Sequence, residues 1–250
     1  MPIYGAALSG KRVLITGGSG GVGRAVARRM IDEGARILIA DRDPLDLRRV
    51  TEDLRTSGPG EIEAVTADLS SPEGIARMFD LVDHQLGGLD VLVACAGVGS
   101  GPLMEMADPD WRYVIESNLV SYVACTQGAV ERMRAADVEG GLIILVGSIS
   151  VHIKAIGESV YNASKGGVAS FAETLRKELM GEGIRVTLIE PGAIATAMQP
   201  YSEEERSKRM ERHEMLPPDE VADAILFAAT RPAGVDVVTL RIEPLVQKIH

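Results

Sequence analysis

Val13-Leu14-Ile15-Thr16-Gly17-Gly18-Ser19-Gly20-Gly21-Val22-Gly23, running on into Arg24-Ala25-Val26-Ala27, decides the fold. The apolar run reads as a buried strand and the residues after Gly23 as a helix. Between them lies a turn built from glycine. Glycine lets the backbone turn tightly and lets a pyrophosphate approach the free amides at a helix N-terminus. A glycine pattern alone is weak evidence. Strand, glycine turn and helix in this order are the context that a dinucleotide-binding loop requires. Gly17, Ser19, Gly20, Gly21, Val22 and Gly23 are therefore the candidate phosphate-binding residues.

The same alternation continues along the chain. Apolar runs at 12–16, 36–40, 61–67, 89–94, 142–146, 185–189 and 236–242 read as strands. Stretches at 23–33, 44–55, 72–85, 108–135, 158–180 and 218–229 read as helices, and Pro44 suits a first helical turn. This order predicts an α/β fold: a doubly wound (Rossmann) seven-stranded parallel sheet with helices on both faces. No linker, repeat or low-complexity tract divides the 250 residues, so one domain over 1–250 is expected. Residues 193–216 break the rhythm, ending in Glu203-Glu204-Glu205-Arg206 and Lys208-Arg209. A connection of this length is usually functional or mobile. A mobile helical lid over the substrate is expected there, with a merely solvated helix as the alternative.

Composition excludes several classes. Hydrophobic residues make up 46% and charged residues 25%, as in ordinary globular proteins. A net charge of −10 argues against a nucleic-acid surface, which needs a basic stripe, and against docking on anionic lipid. No run of about twenty apolar residues predicts a membrane span. Residues 1–10 lack the basic and apolar regions of a secretory signal. Cys95 and Cys125 sit in apolar segments and read as buried, reduced thiols, which suits a cytoplasmic protein. His84, His152, His213 and His250 have no metal-ligand spacing, and no metal is expected.

Asp41 ends the second strand, eighteen residues after Gly23. A carboxylate there can accept both hydroxyls of an adenosine ribose and repel a 2′-phosphate, which favours NAD over NADP. Arg42 follows directly, and a guanidinium suits a phosphate, so NADP stays open. Further on, Tyr161 and Lys165 stand four residues apart and share one helix face. A nearby ammonium favours the phenolate and brings the tyrosine pKa down from its usual ~10. That suits proton exchange at neutral pH. Ser148 lies thirteen residues before Tyr161, and Asn118 lies further back. Singly, Ser148 could cap a turn, Asn118 could cap or bend a helix, and Lys165 could be a surface lysine. Their order, at the carboxyl ends of strands, argues for one site.

Together these residues resemble the short-chain dehydrogenase/reductase family, in its compact branch of about this length, over nearly the whole chain. Thr16-Gly17-x-x-x-Gly21-x-Gly23 looks like that branch's cofactor loop. The resemblance implies that Asp68 and Leu69 lie near adenine. It also aligns Ala94-Cys95-Ala96-Gly97 with the family's Asn-Asn-Ala-Gly, placing Ala96 and Gly97 at the cofactor. Ala94 and Cys95 replace both asparagines, and with them goes a side-chain hydrogen bond that steadies the central sheet. Asn118, Ser148, Tyr161 and Lys165 match the family's catalytic tetrad. Pro191-Gly192-Ala193-Ile194-Ala195-Thr196 matches its nicotinamide-clasping turn, in which the Ile194 backbone and the Thr196 hydroxyl hold the carboxamide. The end departs from the family: Pro244 stops the last strand without a glycine-rich turn, and the tail's role is left open.

The resemblance implies hydride transfer between a nicotinamide and a small secondary alcohol or ketone. Tyr161 would exchange the proton on the substrate oxygen. Lys165, aided by the positive ring of the oxidised cofactor, would lower the pKa of Tyr161 and bond the nicotinamide ribose, so both also count as cofactor residues. Ser148 would donate to the developing oxyanion, and Asn118 would hold a water linking Lys165 to solvent. Ser150, His152, Glu158, Met198 and Tyr201 are candidate pocket residues, although His152 also reads as an ordinary loop histidine. Two other readings compete. A non-catalytic dinucleotide-binding redox sensor would be marked by loss of Tyr161 or Lys165, and both are present. A reductase of 3-oxoacyl groups on a carrier protein would gain little long-range attraction from a chain at −10, though Arg132 and Arg134 offer a local basic patch. The resemblance also implies a homodimer or homotetramer joined through the long helix and the Tyr-bearing helix.

Overall fold

The computed structural model describes residues 8–232 and 234–247. Most of the stretch 1–10, and His250, lie outside them. Seven parallel strands stand in the order β3-β2-β1-β4-β5-β6-β7. They are β1 Arg12–Thr16, β2 Arg36–Asp41, β3 Glu61–Thr66, β4 Val91–Ala94, β5 Leu142–Val146, β6 Arg185–Pro191 and β7 Thr239–Ile242. The chain builds outward from β1 to β3 and then crosses back to β4. Thr16 lies opposite both Ala40 and Ala94, so the strand order reverses beside β1 at its carboxyl end. Open α/β sheets bind ligands at such a switch point.

Side chains alternate between the two faces of each strand, so one sheet carries two cores. Val13, Ile15, Ile37, Ile39, Val93 and Ile144 face α1 Gly21–Asp32, α2 Pro44–Leu54 and α9 Pro218–Ala229. Leu14, Leu38, Leu92, Ile143 and Leu145 face α3 Pro72–Leu81, α5 Ser121–Ala135 and α7 Ser159–Leu179. Strands buried on both faces must read as unbroken apolar runs, as these do. Local chemistry sets the helix starts. Asp43 accepts hydrogen bonds from the Leu45 and Asp46 amides ahead of Pro44, and Ser71 accepts from Gly74 ahead of Pro72.

Three expectations need correction. The helix expected over 108–135 is α4 Asp108–Ile115 and α5, joined by a wider π turn at Glu116–Val120 that carries Asn118. Such turns cluster at functional sites. The helix expected over 72–85 gives way to another π turn at Val82–Leu86, closed by Gly87 at φ +70°. The strand expected from 236 starts at Thr239, and the Asp236 carboxylate before it lies 3.7 Å from Arg176. Within 193–216 lies α8 Glu203–Glu211, capped by Ser202 and laced by Lys208–Glu204 and Arg209–Glu205 pairs. Two short elements were not expected, the helix α6 Ser150–Ile153 and a 3-10 turn at Leu103–Glu105. No helix among the described residues is long and apolar enough to cross a membrane.

Candidate active site

The glycine loop lies between β1 and α1, and neighbours leave no room for a Cβ at Gly17, Gly18, Gly21 or Gly23. A Cβ on Gly23 would fall 2.1 Å from the Gly17 carbonyl oxygen, and one on Gly17 would fall 2.8 Å from Ala96 Cα. Gly17 also has φ +68°, which other residues rarely adopt. A Cβ on Gly21 would meet Thr196 Cγ2 at 2.7 Å, so the loop and the turn after β6 touch. No side chain caps α1 at Gly20, which leaves the amides of its first turn to a ligand. A cradle that any side chain would fill, at a helix N-terminus, fits a pyrophosphate.

Asp41 stands at the end of β2. One carboxylate oxygen accepts from the Ser19 amide at 3.0 Å and the other from Arg42 N at 2.7 Å. Arg42 itself turns away to bond the Tyr113 hydroxyl and lie over its ring at 5.6 Å. Asp68, at the end of β3, accepts from the amide and hydroxyl of Ser70, with Leu69 buried beside it. Ala94 and Cys95 lack the asparagine side chains, yet the sheet is tied here. Buried Thr16 Oγ1 accepts from both the Cys95 and Ala96 amides at 3.2 Å.

The structure brings Ser148, Tyr161 and Lys165 together at the carboxyl end of β5. Ser148 follows β5, its hydroxyl accepts from the Ser150 amide at 3.1 Å, and it lies near enough to Tyr161 to draw the phenol pKa down. Ser100 Oγ accepts the Tyr161 amide at 3.2 Å, fixing the first turn of α7. Burial holds the Tyr161 phenol above its ordinary pKa; Ser148 opposes this and the Glu158 charge adds to it. Burial also brings Lys165 down to about 8. Lys165 Nζ lies 6.0 Å from the Tyr161 ring centre and donates to Val146 O at 2.9 Å and Tyr122 Oη at 3.2 Å.

Asn118 lies in the π turn between α4 and α5. Its fully buried side chain accepts from Val98 N at 2.8 Å and donates to Val98 O at 2.8 Å and Ser164 Oγ at 3.2 Å. Ser164 in turn donates to Tyr161 O at 2.7 Å. The amide thus clamps the loop after β4 onto the Tyr-bearing helix.

Pro191 ends β6 and opens the turn expected to hold the nicotinamide. Ile194 bridges to Leu216, and Thr196 N donates to Ile194 O at 2.9 Å. The tail holds this turn: Gln247 Oε1 accepts from Ala193 N at 3.0 Å, and Pro244 and Gln247 crowd Gly192. Among the pocket candidates, Ser150 is buried with its hydroxyl unpartnered. Half-exposed His152 lies 3.0 Å from the buried Glu190 carboxylate. Glu158, one helical turn before Tyr161, is raised in pKa by burial. Met198 is exposed, and Tyr201 is stacked by Arg209 at 3.9 Å. Sequence reasoning missed Tyr122, Ser164 and Gln247. Ser164 sits inside the Tyr161–Lys165 stretch and was open to notice; a tyrosine in an apolar helix and a glutamine in a tail carry no such signal.

Both thiols are free and pushed up to about 12 by burial, and no group of His, Cys, Asp and Glu among the described residues is arranged to hold a metal.

The short chain dehydrogenase family model matches residues 11–207. Human dehydrogenase/reductase SDR family member 11 is 29% identical over 245 residues, covering 94% of each chain. A metagenomic short-chain oxidoreductase solved in complex with NADP superposes with a TM-score of 0.81 at 30% identity, covering 96% of this chain and all (100%) of that one. L-sorbose reductase from Gluconobacter frateurii, complexed with NADPH and L-sorbose, gives 0.85 at 28% identity, covering 96% and 98%. Family match, sheet order and cofactor cradle agree: the chain is a member of the short-chain dehydrogenase/reductase family, whose chemistry is NAD(P)-dependent oxidoreduction.

Proposed function

We propose that the chain is an oxidoreductase that interconverts a secondary alcohol and a ketone, with Tyr161 as the general acid and base. The observation that carries this reading is the cluster at the end of β5: Ser148 beside Tyr161, with Lys165 buried one turn further along the same helix. Gly17, Ser19, Gly20, Gly21, Val22 and Gly23 would hold the pyrophosphate, and Asp68, Leu69, Ala96 and Gly97 would line the adenosine side. Pro191, Gly192, Ile194 and Thr196 would hold the nicotinamide, which supplies or accepts the hydride when bound. Asp41 supports NAD over NADP, because its carboxylate would meet a 2′-phosphate with like charge.

The residues do the rest. Ser148 donates to the substrate oxygen and stabilises the charge that develops there. Tyr161 gives the proton to that oxygen in reduction and takes it in oxidation. Lys165 holds positive charge within the site. The loops beside Tyr161 carry exposed Leu103, Met104 and Ile156, and Met198 follows the clasp, which supports a substrate with an apolar body. A homodimer or homotetramer in the cytoplasm remains part of this reading. A spectrophotometric screen tests it. NADH and NADPH are offered with apolar and hydrophilic ketones, and NAD and NADP with the matching alcohols. Turnover fastest with NADH and an apolar ketone is expected. Tight NADH binding without turnover across the panel would favour the redox-sensor reading.

A further inference from the structure

Lys165 is 4% exposed, and a buried ammonium needs acceptors. Two are present. Val146 O comes from the last residue of β5, two before Ser148, and Tyr122 Oη comes from the first turn of α5, directly after the π turn of Asn118. Tyr122 is itself 1% exposed and donates its proton to Val146 O at 3.1 Å. Its hydroxyl therefore completes a triangle: it donates to the carbonyl that Lys165 also bonds, and it accepts from Lys165. A residue that only filled the core would need no hydroxyl. Tyr122 is also the one aromatic residue in Ser121–Ala135, whose other buried residues are small or aliphatic.

We propose that Tyr122 is a positioning residue for Lys165, its hydroxyl keeping the ammonium charged and aimed between β5 and α7. This rests on the reading of Tyr161 and Lys165 given above. Two of the three ammonium hydrogens are fixed on Tyr122 and Val146, which leaves one for the site. The other titratable groups around the triangle are the Tyr161 phenol on α7, the Cys95 thiol after β4 and, behind Tyr122, the Cys125 thiol on α5. Asp41 raises the Cys95 thiol and is not among the groups that shift Lys165. Both thiols are neutral at pH 7, so no neighbouring anion supports the ammonium in place of the hydroxyl.

The test is Tyr122→Phe, which keeps the ring and removes the oxygen. NADH affinity is followed by fluorescence from pH 6 to pH 10 in four proteins: wild type, Tyr122→Phe, Lys165→Met and the double variant. Thermal melting establishes that each is folded. The proposal expects affinity in the wild type to fall as Lys165 loses its proton. In Tyr122→Phe the midpoint of that fall moves down by about half to one pH unit, because the charged form has lost an acceptor. In the Lys165→Met background the same change should leave the pH dependence unaltered. An unmoved midpoint in Tyr122→Phe overturns the proposal, as does a shift that persists without Lys165. If Lys165→Met alone titrates like wild type, the reading of Lys165 as a site residue falls, and the proposal falls with it.

Discussion

Gln247 Oε1 accepts a hydrogen bond from the Ala193 amide at 3.0 Å, tying the tail after β7 to the turn after β6. The same side chain crowds Gly192, and Val246 N donates to His213 O at the foot of the segment 193–216. The tail therefore braces the turn that would clasp the nicotinamide. Gln247→Ala should weaken NADH binding about three- to tenfold, on the scale of one lost hydrogen bond. Calorimetric titration of the variant measures this. Unchanged affinity would mean that the clasp stands without the tail.

The glycine loop makes a position-by-position prediction. Alanine at 23 would put a Cβ 2.1 Å from the Gly17 carbonyl, whereas at Gly20 the nearest atom lies at 3.4 Å, an ordinary contact. Gly23→Ala should cost about 1–3 kcal/mol in stability and abolish measurable cofactor binding. Gly20→Ala should fold like wild type. Thermal melting and NADH titration of the pair separate the two.

Asp41 should set the cofactor preference. Asp41→Ser removes the charge that would face a 2′-phosphate and keeps an acceptor for the Ser19 amide. The ratio of NADPH to NADH affinity should rise at least about tenfold, the scale of one charge contact. A ratio that stays constant would assign the preference elsewhere.

Lys165 should lower stability at neutral pH. Its folded pKa of about 8 lies below the value near ~10.4 of an unfolded lysine. Between those two values the unfolded chain binds more protons, so stability rises with pH across that window. Below it, the burial penalty on the ammonium is fully present. Lys165→Met should therefore melt a few degrees higher than wild type at pH 7, while losing turnover. The gap should narrow as the pH approaches 10. Melting curves at pH 7 and 9.5 check the sign.

Much of the fold was legible because a strand buried on both faces has to be apolar throughout. Arg12–Thr16 and Leu142–Val146 have the bounds that their composition suggests. The π turn at Glu116–Val120 was not legible, because widening one helical turn leaves the apolar pattern on both sides intact. The candidate site was legible where motif and element coincide, as at the glycine loop and at Tyr161 and Lys165. Which way Lys165 points was not, since that depends on Tyr122, forty-three positions away in the chain. The tail contact of Gln247 was hidden for the same reason: its partner lies fifty-four positions away and is a backbone amide that no side chain reports.

The most direct test of the account compares wild type with Tyr161→Phe in steady-state turnover, on the fastest ketone substrate with NADH. Phenylalanine keeps the ring and removes the one proton that the reading assigns to the substrate oxygen. The account predicts a fall in kcat of about 10²–10⁴, the usual contribution of a general acid, with NADH affinity close to wild type. Turnover at the wild-type rate in Tyr161→Phe would contradict it.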